Sequence, residues 1–196
     1  MNIKRLIKIM VQLPNDIYNI IIFKYRHVNY GNNLKITGRI FCVSNGCNRI
    51  IIENNVHINS SRRSNPIGGD TKTILFAKEN GTIRIGNNVG ISNCTLVAHE
   101  KIVIEDNVLL GGSVKIYDTD FHWVDYEARM NQTDAKTAPV IVKSGAFIGG
   151  HSIILKGVTI GQKSVIGAGS IVTRNVPDCE IWAGNPAKFV RKIETK

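Results

Sequence analysis

The chain contains few cysteines and few aromatic residues. Its four cysteines, Cys42, Cys47, Cys94 and Cys179, show no CxxC spacing, so we expect reduced, partly buried thiols and no zinc or redox site. Aromatic residues make up only 7% of the chain, they do not alternate with basic runs, and no DNA-binding motif occurs. The net charge of +10 still implies an anionic partner, and a coenzyme phosphate or an anionic glycan suits the scattered charge better than nucleic acid.

Long apolar runs are also missing. The run Ile17 to Phe23 is too short to span a bilayer. Pro14 and Asp16 interrupt the first apolar segment and no small-residue cleavage site follows, so we do not expect a signal peptide. Residues 1–33 are predicted to form an amphipathic segment that packs on the open end of the fold. The alternative for this segment is peripheral contact with a membrane surface.

Aliphatic residues recur at every sixth position near the end of the chain. They are Val142, Ile148, Ile154, Ile160, Ile166 and Val172. The residue four places after each is small or β-branched: Ala146, Ser152, Val158, Ser164, Ser170 and Val176. A period of six fits neither an α-helix nor a lone strand, but it fits triangular coils with three six-residue sides. The pattern therefore predicts an all-β fold, a parallel β-helix of hexapeptide repeats.

The same pattern sets the domain boundaries. We expect the β-helix over residues 34–184, with irregular coils before residue 116 and regular coils over 140–176. Residues 117–139 abandon the repeat, and their polar, aromatic side chains cannot fill a narrow aliphatic interior. They are predicted to form a loop ejected from the coil, and long loops on rigid scaffolds are often functional.

The last residues, 185–196, leave the repeat. Asn185 is a candidate N-cap and Pro186 suits the first helical position, so we predict a short C-terminal helix. Lys188, Arg191 and Lys192 would then lie along one side of that helix.

Apolar residues also occupy positions that should point outward from the coils. These residues are Phe147, Ile153, Val165 and Ile171, and an 18-residue coil stacks Phe147 on Val165 and Ile153 on Ile171. Two exposed apolar ladders require a cover. Since a three-sided prism packs well around a threefold axis, we predict a homotrimer.

Four motifs carry a resemblance to a known family. They are Tyr117–His122 (YDTDFH), Phe147–Gly150 (FIGG), Ile166–Thr173 (IGAGSIVT) and Gly184–Lys188 (GNPAK). Over about residues 83–193 the chain resembles the hexapeptide-repeat, left-handed β-helix acetyltransferases, and especially the maltose, galactoside and polysaccharide O-acetyltransferases. The resemblance implies transfer of an acetyl group from acetyl-CoA, as co-substrate, to a saccharide hydroxyl, with no metal required.

The resemblance also implies roles for individual residues. His122 takes the place of the family's catalytic histidine, whose imidazole accepts the proton of the attacking hydroxyl. Asp118 and Asp120 are both candidates for orienting that imidazole, and spacing does not choose between them. The acetyl-CoA-binding residues implied are Phe147, Gly149, Gly150, Ala168, Thr173, Arg174, Lys188 and Arg191, with the last two on the phosphates.

Candidate acceptor-binding residues are Asn93, His99 and Trp123. Trp123 stands where the simple-sugar enzymes usually have proline, so the acceptor pocket looks more like that of the polysaccharide or lipopolysaccharide branch. The family arrangement implies a site between neighbouring subunits. We expect a cytoplasmic protein, with the inner face of the membrane as the alternative location.

Other readings stay open. An N-acetyltransferase acting on a nucleotide amino sugar, or a serine or chloramphenicol-type acetyltransferase, would use the same scaffold. The gamma-type carbonic anhydrases share the coil but need two metal-binding histidines five residues apart, and here Tyr117 and Glu127 flank His122 at that spacing. A non-catalytic β-helix that serves as a scaffold is the remaining alternative.

Overall fold

The computed structural model describes residues 3–78, 80–131 and 135–194, except for the side chains of residues 3–9 and 11. It consists of an N-terminal helix, α1 (Ile3–Tyr25), and twenty short strands that form three sheets. A second helix, α2 (Tyr126–Met130), and a 3₁₀ turn (Pro66–Gly68) lie in loops.

Successive strands pass from sheet A to sheet B to sheet C, and each strand pairs with its counterpart one coil away. Sheet A contains β1 (Asn29–Tyr30), β4 (Ile50–Ile52), β7 (Thr82–Ile85), β10 (Lys101–Ile104), β13 (Val140–Val142) and β16 (Thr159–Ile160). Sheet B contains β2 (Lys35–Gly38), β5 (His57–Ser60), β8 (Gly90–Ser92), β11 (Leu109–Leu110), β14 (Phe147–Ile148), β17 (Val165–Ile166), β19 (Glu180–Gly184) and β20 (Ala187–Lys192). Sheet C contains β3 (Phe41–Ser44), β6 (Ile74–Ala77), β9 (Thr95–Ala98), β12 (Lys115–Tyr117), β15 (Ile153–Ile154) and β18 (Ile171–Val172).

The six-residue pattern forms the interior of the prism, as predicted. Every aliphatic residue of the period is fully buried, and so are the small residues four places later. Ile148 pairs with Ile166 and Ile154 with Val172 in parallel register, so identical positions stack along the axis. The parallel β-helix is therefore confirmed.

The corner between sheets A and B is held by a ladder of asparagine side chains in the first coils. Oδ1 of Asn54 accepts from the backbone N–H of Asn32, and Oδ1 of Asn87 accepts from that of Asn54. Asp106 continues the ladder by accepting from the backbone N–H of Asn87 at 2.7 Å. The next residue in each corner has a positive φ, about 60° at Asn55 and Asn107, which asparagine tolerates. These ladders stabilise the coils in which the hexapeptide pattern is weakest.

Helix α1 covers the N-terminal end of the prism, as expected for the first segment. Phe23 is 2% exposed and closes the end of the aliphatic stack, and Asn19 is buried beside it. Among the residues that the structure describes, no helix is long and apolar enough to cross a bilayer.

The thiols also agree with the sequence-based expectation. Cys42 and Cys94 are buried, and burial raises the pKa of each thiol to about 12. Cys47 is exposed and Cys179 is half-buried, and all four are free.

The ejected loop begins one residue later than predicted. Tyr117 still belongs to β12, and Asp118 is fully buried in the coil. The chain then leaves the prism, and its two ends pair with each other through a bridge between Thr119 and Thr137. The backbone N–H of Ala138 donates to Asp118 O at 2.9 Å, and the repeat resumes at Val140 as expected.

The predicted C-terminal helix is wrong, because residues 187–192 form strand β20, antiparallel to β19. Asn185 and Pro186 lie in the turn between the two strands, after Gly184 with φ of 104°. The free edge of β19 offers backbone groups for pairing, and Phe189 and Val190 are residue types that favour strands. Pairing with that edge therefore outweighs the local helix-start signals.

The predicted outward ladders are present. Phe147 pairs with Val165 on sheet B, and Ile153 pairs with Ile171 on sheet C. Phe147 is 43% exposed and the other three are partly exposed. The homotrimer that these ladders suggest stays a prediction.

Candidate functional site

His122 lies outside the prism, at the corner where the chain passes from sheet C to sheet A. His122 is exposed, and its backbone N–H donates a hydrogen bond to Asp120 O at 2.7 Å. The preceding residue, Phe121, has a positive φ of 61° and packs edge-on against two rings. These are Tyr117, with centroids 5.2 Å apart, and His99, at 6.0 Å. A small aromatic cluster thus supports the loop immediately before His122.

Among the described residues Asp118 makes no hydrogen bond to the His122 ring, and its candidacy for orienting the imidazole stays a prediction. The carboxylate of Asp118 is fully buried. It accepts hydrogen bonds from three backbone N–H groups of the preceding coil, those of His99 (2.8 Å), Glu100 (2.8 Å) and Lys101 (2.6 Å). The side chain is needed there because those donors would otherwise be buried without a partner. Asp118 therefore fixes the base of the loop and the His99 corner.

Asp120 is the other candidate, and its carboxylate pairs with Lys156 Nζ at 3.3 Å. Among the described residues no hydrogen bond joins the His122 ring to either carboxylate. Asp120 as the orienting residue therefore stays a prediction. Sequence reasoning missed Lys156, although the coil register places it directly beside Asp118 and near the loop.

A second group of predicted residues lies at the corner between sheets B and C. Gly149, Gly150 and Ala168 follow β14 and β17 there, and Ala168 is exposed. A Cβ at Gly149 would lie 2.5 Å from Ala168 N, and one at Gly150 would lie 3.0 Å from Gly112 O. Coil-to-coil packing thus requires glycine at Gly149 and leaves little room for a side chain at Gly150. The result is a strip of small residues along this corner.

Asn93 lies at the same corner but is 1% exposed. Its Nδ2 donates to Thr71 O, and Gly68 of the neighbouring loop packs directly on its side chain. Its Oδ1 is buried without a hydrogen-bond partner among the described residues. Asn93 therefore anchors residues 61–73 to the coil, and a role in acceptor binding stays a prediction.

The third group lies on the outer face of sheet B. Phe147 pairs with Val165, and Val165 pairs with Ile181, so the three form one outward column. Arg191 lies opposite Ile181 and Lys188 opposite Ala183 across the hairpin.

Lys188 and Arg191 would face opposite sides of a regular strand, because their separation is odd. A bulge between Ile181 and Trp182 shifts the register, and cross-strand partners share a face. Both cations therefore lie on the outer face of the hairpin, and both are exposed. They share one side, as is also expected of the helix predicted from the sequence. Lys192 lies opposite Glu180, on the other face.

Thr173 and Arg174 follow β18 and are exposed at the corner between sheets C and A. They share this corner with His122, not with the glycine strip. In one chain, sheet C therefore separates the histidine from Gly149, Gly150 and Ala168.

Trp123 follows His122 and is partly exposed. Lys136 Nζ lies 5.3 Å from the centre of its ring, and its indole N–H is buried without a partner among the described residues. The role of Trp123 in acceptor binding stays a prediction. No group of metal-binding side chains occurs in the described parts of the chain.

A depression of about 590 Å³ lies on the outer face of sheet A. Ile51, Arg84 and Val103 are among the residues that line it. None of the predicted site residues lines it, so it is not the candidate site.

Comparisons with known proteins show the family and the fold of the chain. A family model described as the hexapeptide repeat of succinyl-transferase matches residues 139–174. A hexapeptide-repeat-containing acetyltransferase of Vibrio cholerae, solved with acetyl coenzyme A, is 31% identical with a TM-score of 0.57. The match covers 64% of this chain and 70% of that one. The chain belongs to the hexapeptide-repeat acetyltransferases.

Other members of the family are similar over comparable lengths. Galactoside O-acetyltransferase of Escherichia coli is 39% identical over 123 residues, which are 62% of this chain and 60% of that protein. The chain spans 49% to 62% of the length of the first curated relatives that it matches.

The N-acyltransferase AntD of Bacillus cereus, solved with dTDP and coenzyme A, superposes with a TM-score of 0.71. The match covers 89% of each chain. At 24% identity this likeness concerns the fold, the left-handed β-helix expected from the sequence.

Proposed function

We propose that the protein is an acetyl-CoA-dependent O-acetyltransferase that acts on a saccharide hydroxyl, with His122 as the general base. One observation carries the proposal: an imidazole is displayed outside an otherwise aliphatic stack, on a loop whose base Asp118 holds with three hydrogen bonds. Membership of the acetyltransferase family supports the reaction type. The similarity to galactoside O-acetyltransferase supports a sugar hydroxyl as the acceptor.

The chemistry follows from the imidazole. A sugar hydroxyl is a weak nucleophile, so His122 accepts its proton as the oxygen attacks the thioester carbonyl. Backbone N–H groups of an exposed coil can stabilise the resulting oxyanion. As the tetrahedral intermediate collapses, the carbon–sulfur bond breaks, and the imidazolium returns the proton to the thiolate that leaves. The products are the acetyl ester and the free thiol of coenzyme A.

We place acetyl-CoA along sheet B and its corner with sheet C. Ala168 and the glycines leave room for an extended pantetheine arm, and Phe147 offers an aromatic wall at 43% exposure. Lys188 and Arg191 supply two exposed cations on the same face for the phosphates. Thr173 and Arg174 lie at the other corner of sheet C, so in this arrangement they contact a coenzyme bound by a neighbour.

This arrangement needs a second subunit, because one chain holds His122 and the glycine strip at different corners. In a homotrimer the loop of one subunit reaches the strip of the next. The ladders Phe147–Val165 and Ile153–Ile171 flank the strip on both sides and supply apolar surface for that contact.

We infer a saccharide of a surface polysaccharide or lipopolysaccharide as the acceptor, because Trp123 adds a large aromatic surface beside His122. An acceptor screen tests the proposal: the protein and acetyl-CoA are mixed with neutral sugars, oligosaccharides, nucleotide-linked amino sugars and amino acids. Release of the coenzyme thiol is followed with a thiol reagent, after the initial reaction of the exposed Cys47.

We expect release that depends on a saccharide hydroxyl and is lost in His122→Ala. Turnover only with amino sugars would change the reaction to N-acetylation. Turnover in His122→Ala at the rate of the parent would remove the assigned base. Absence of acetyl-CoA binding would favour the scaffold alternative.

A further inference from the structure

Helix α1 lies on the prism with its polar side inward. Gln12 Nε2 donates to Ile36 O at 2.8 Å, and Gln12 Oε1 accepts from Gly38 N at 3.3 Å. Asn19 Nδ2 donates to Gly38 O at 2.9 Å, and Asn19 Oδ1 accepts from Ile40 N at 3.1 Å. These amide groups satisfy backbone groups of Ile40 and of β2, which has no neighbouring strand on that edge. The rotation of the helix about its axis is thereby fixed.

The opposite side of α1 is apolar and faces solvent. Five side chains form this apolar stripe: Met10 (66% exposed), Leu13 (54%), Ile17 (51%), Ile20 (59%) and Ile21 (60%). Their spacing of three and four residues places them on one face, over a length of roughly 16 Å. A surface helix normally turns its aliphatic face to the core. Here the core-facing side carries Gln12, Asn19 and the buried Phe23, and the apolar stripe is left facing solvent.

The charges around the stripe indicate the kind of partner. Lys4, Arg5 and Lys8 precede it in the helix sequence and Lys24 follows it. Asp16 is the one acidic residue of the α1 sequence, and it accepts a hydrogen bond from Gln12 on the docked side. The α1 sequence thus carries more cations than anions, and an apolar stripe on a basic helix is complementary to an anionic lipid surface.

The C-terminal end of the helix adds an aromatic residue of the type that favours the membrane interface. Tyr25 is 69% exposed, and the guanidinium of Arg26 lies 5.0 Å from the centre of its ring. A second α1 helix is a poorer partner for the stripe, because it would bring two helices of the same positive charge together.

We propose that α1 rests on an anionic membrane surface through the apolar stripe, with the exposed Lys24 near the lipid headgroups. The contact is peripheral, and the hydrogen bonds of Gln12 and Asn19 hold the β-helix to the helix while it is bound. This proposal is independent of acetyl transfer, because it concerns only binding to lipid.

Vesicle flotation of the full chain tests it. We expect binding to phosphatidylcholine vesicles that contain phosphatidylglycerol, weak binding to phosphatidylcholine alone, and release as ionic strength rises. The triple variant Leu13→Gln, Ile17→Gln, Ile20→Gln should lose binding at least about tenfold, because the removed side chains supply the apolar contact. All three positions are more than half exposed, so the variant should keep the unfolding temperature of the parent.

A matched variant carries three changes elsewhere, at positions that are at least as exposed: Ile67→Gln, Val124→Gln and Met130→Gln. It should bind vesicles like the parent. Failure of the parent to bind anionic vesicles would overturn the proposal, and so would equal binding by the two triple variants. A lower oligomer mass of the α1 variant in the absence of lipid would assign the stripe to a second copy and would also overturn it.

Discussion

The connections from sheet C to sheet A take two forms in neighbouring coils. After β15, residues 155–158 turn the corner and enter β16, whereas after β12 the chain uses residues 118–139 to reach β13. Both connections start from equivalent register positions, since Ile116 pairs with Ile154. The short form shows how little chain the fold needs here. The long form adds a loop that displays His122, the proposed general base.

The largest expected effect on activity is at His122, in the ejected loop. His122→Ala should lower kcat by about 10²–10⁴-fold, because the general base is lost. Its unfolding temperature should stay that of the parent, because the residue is exposed and outside the prism. The matched control is His57→Ala, which removes an exposed histidine from sheet B, and it should leave both quantities unchanged.

The opposite behaviour is expected in the regular coils. Ile154→Ala should lower the free energy of unfolding by about 2–5 kcal/mol, because it leaves a cavity in a close-packed stack. Ile154→Val should cost about 0.5–1.5 kcal/mol. Denaturant unfolding measures both changes, and activity per folded molecule should be unchanged. Loss of activity in Ile154→Val without loss of stability would contradict the separation of the two regions.

Asp118 joins the two regions, so its substitution should affect both. Asp118→Asn keeps the shape of the side chain but replaces one carboxylate oxygen with an amide N–H₂. In the parent, both oxygens accept hydrogen bonds from backbone N–H groups, so at least one of these donors loses its acceptor. Leaving a buried donor unsatisfied costs about 1–3 kcal/mol, and the loop base should loosen with a lower kcat.

Asp106→Asn is the matched control for this change. At the corner between sheets A and B, Asn54 and Asn87 already perform the role of Asp106 in the earlier coils. Asp106→Asn should therefore be nearly neutral in denaturant unfolding. An equal cost for the two substitutions would contradict the specific role of Asp118.

The smallest effect concerns the hairpin. Lys188→Gln with Arg191→Gln should raise KM for acetyl-CoA by several-fold up to about tenfold, with kcat unchanged, because both exposed cations are placed on the phosphates. Lys192→Gln removes one positive charge from the other face of the hairpin and should leave KM unchanged. Equal effects of Lys192→Gln and the double variant would indicate a general charge effect only.

The interior of the fold follows directly from the sequence, because each buried position repeats at a fixed interval. Ile148 and Ile166, and the small residues after them, occupy the places that the period assigns. The existence of the ejected loop follows for the same reason, since a histidine and a tryptophan cannot continue an aliphatic stack.

The remaining features depend on contacts that no local pattern contains. Asn185 and Pro186 suit the start of a helix and also a tight turn, and the free edge of β19 decides between them. Asp118 resembles a partner of His122 in sequence, but its carboxylate turns inward to three donors of an earlier coil. The distribution of the site residues over two corners becomes visible only when the strands are assigned to sheets.

Mixing two inactive variants tests most directly whether neighbouring subunits share the site. His122→Ala lacks the base, and Ala168→Trp blocks the strip at an exposed position, so neither should be active alone. In trimers formed from equal amounts of both, about a quarter of the interfaces combine an intact histidine with an intact strip. The account predicts recovery of about a quarter of the parent activity, whereas mixtures as inactive as the separate variants would contradict it.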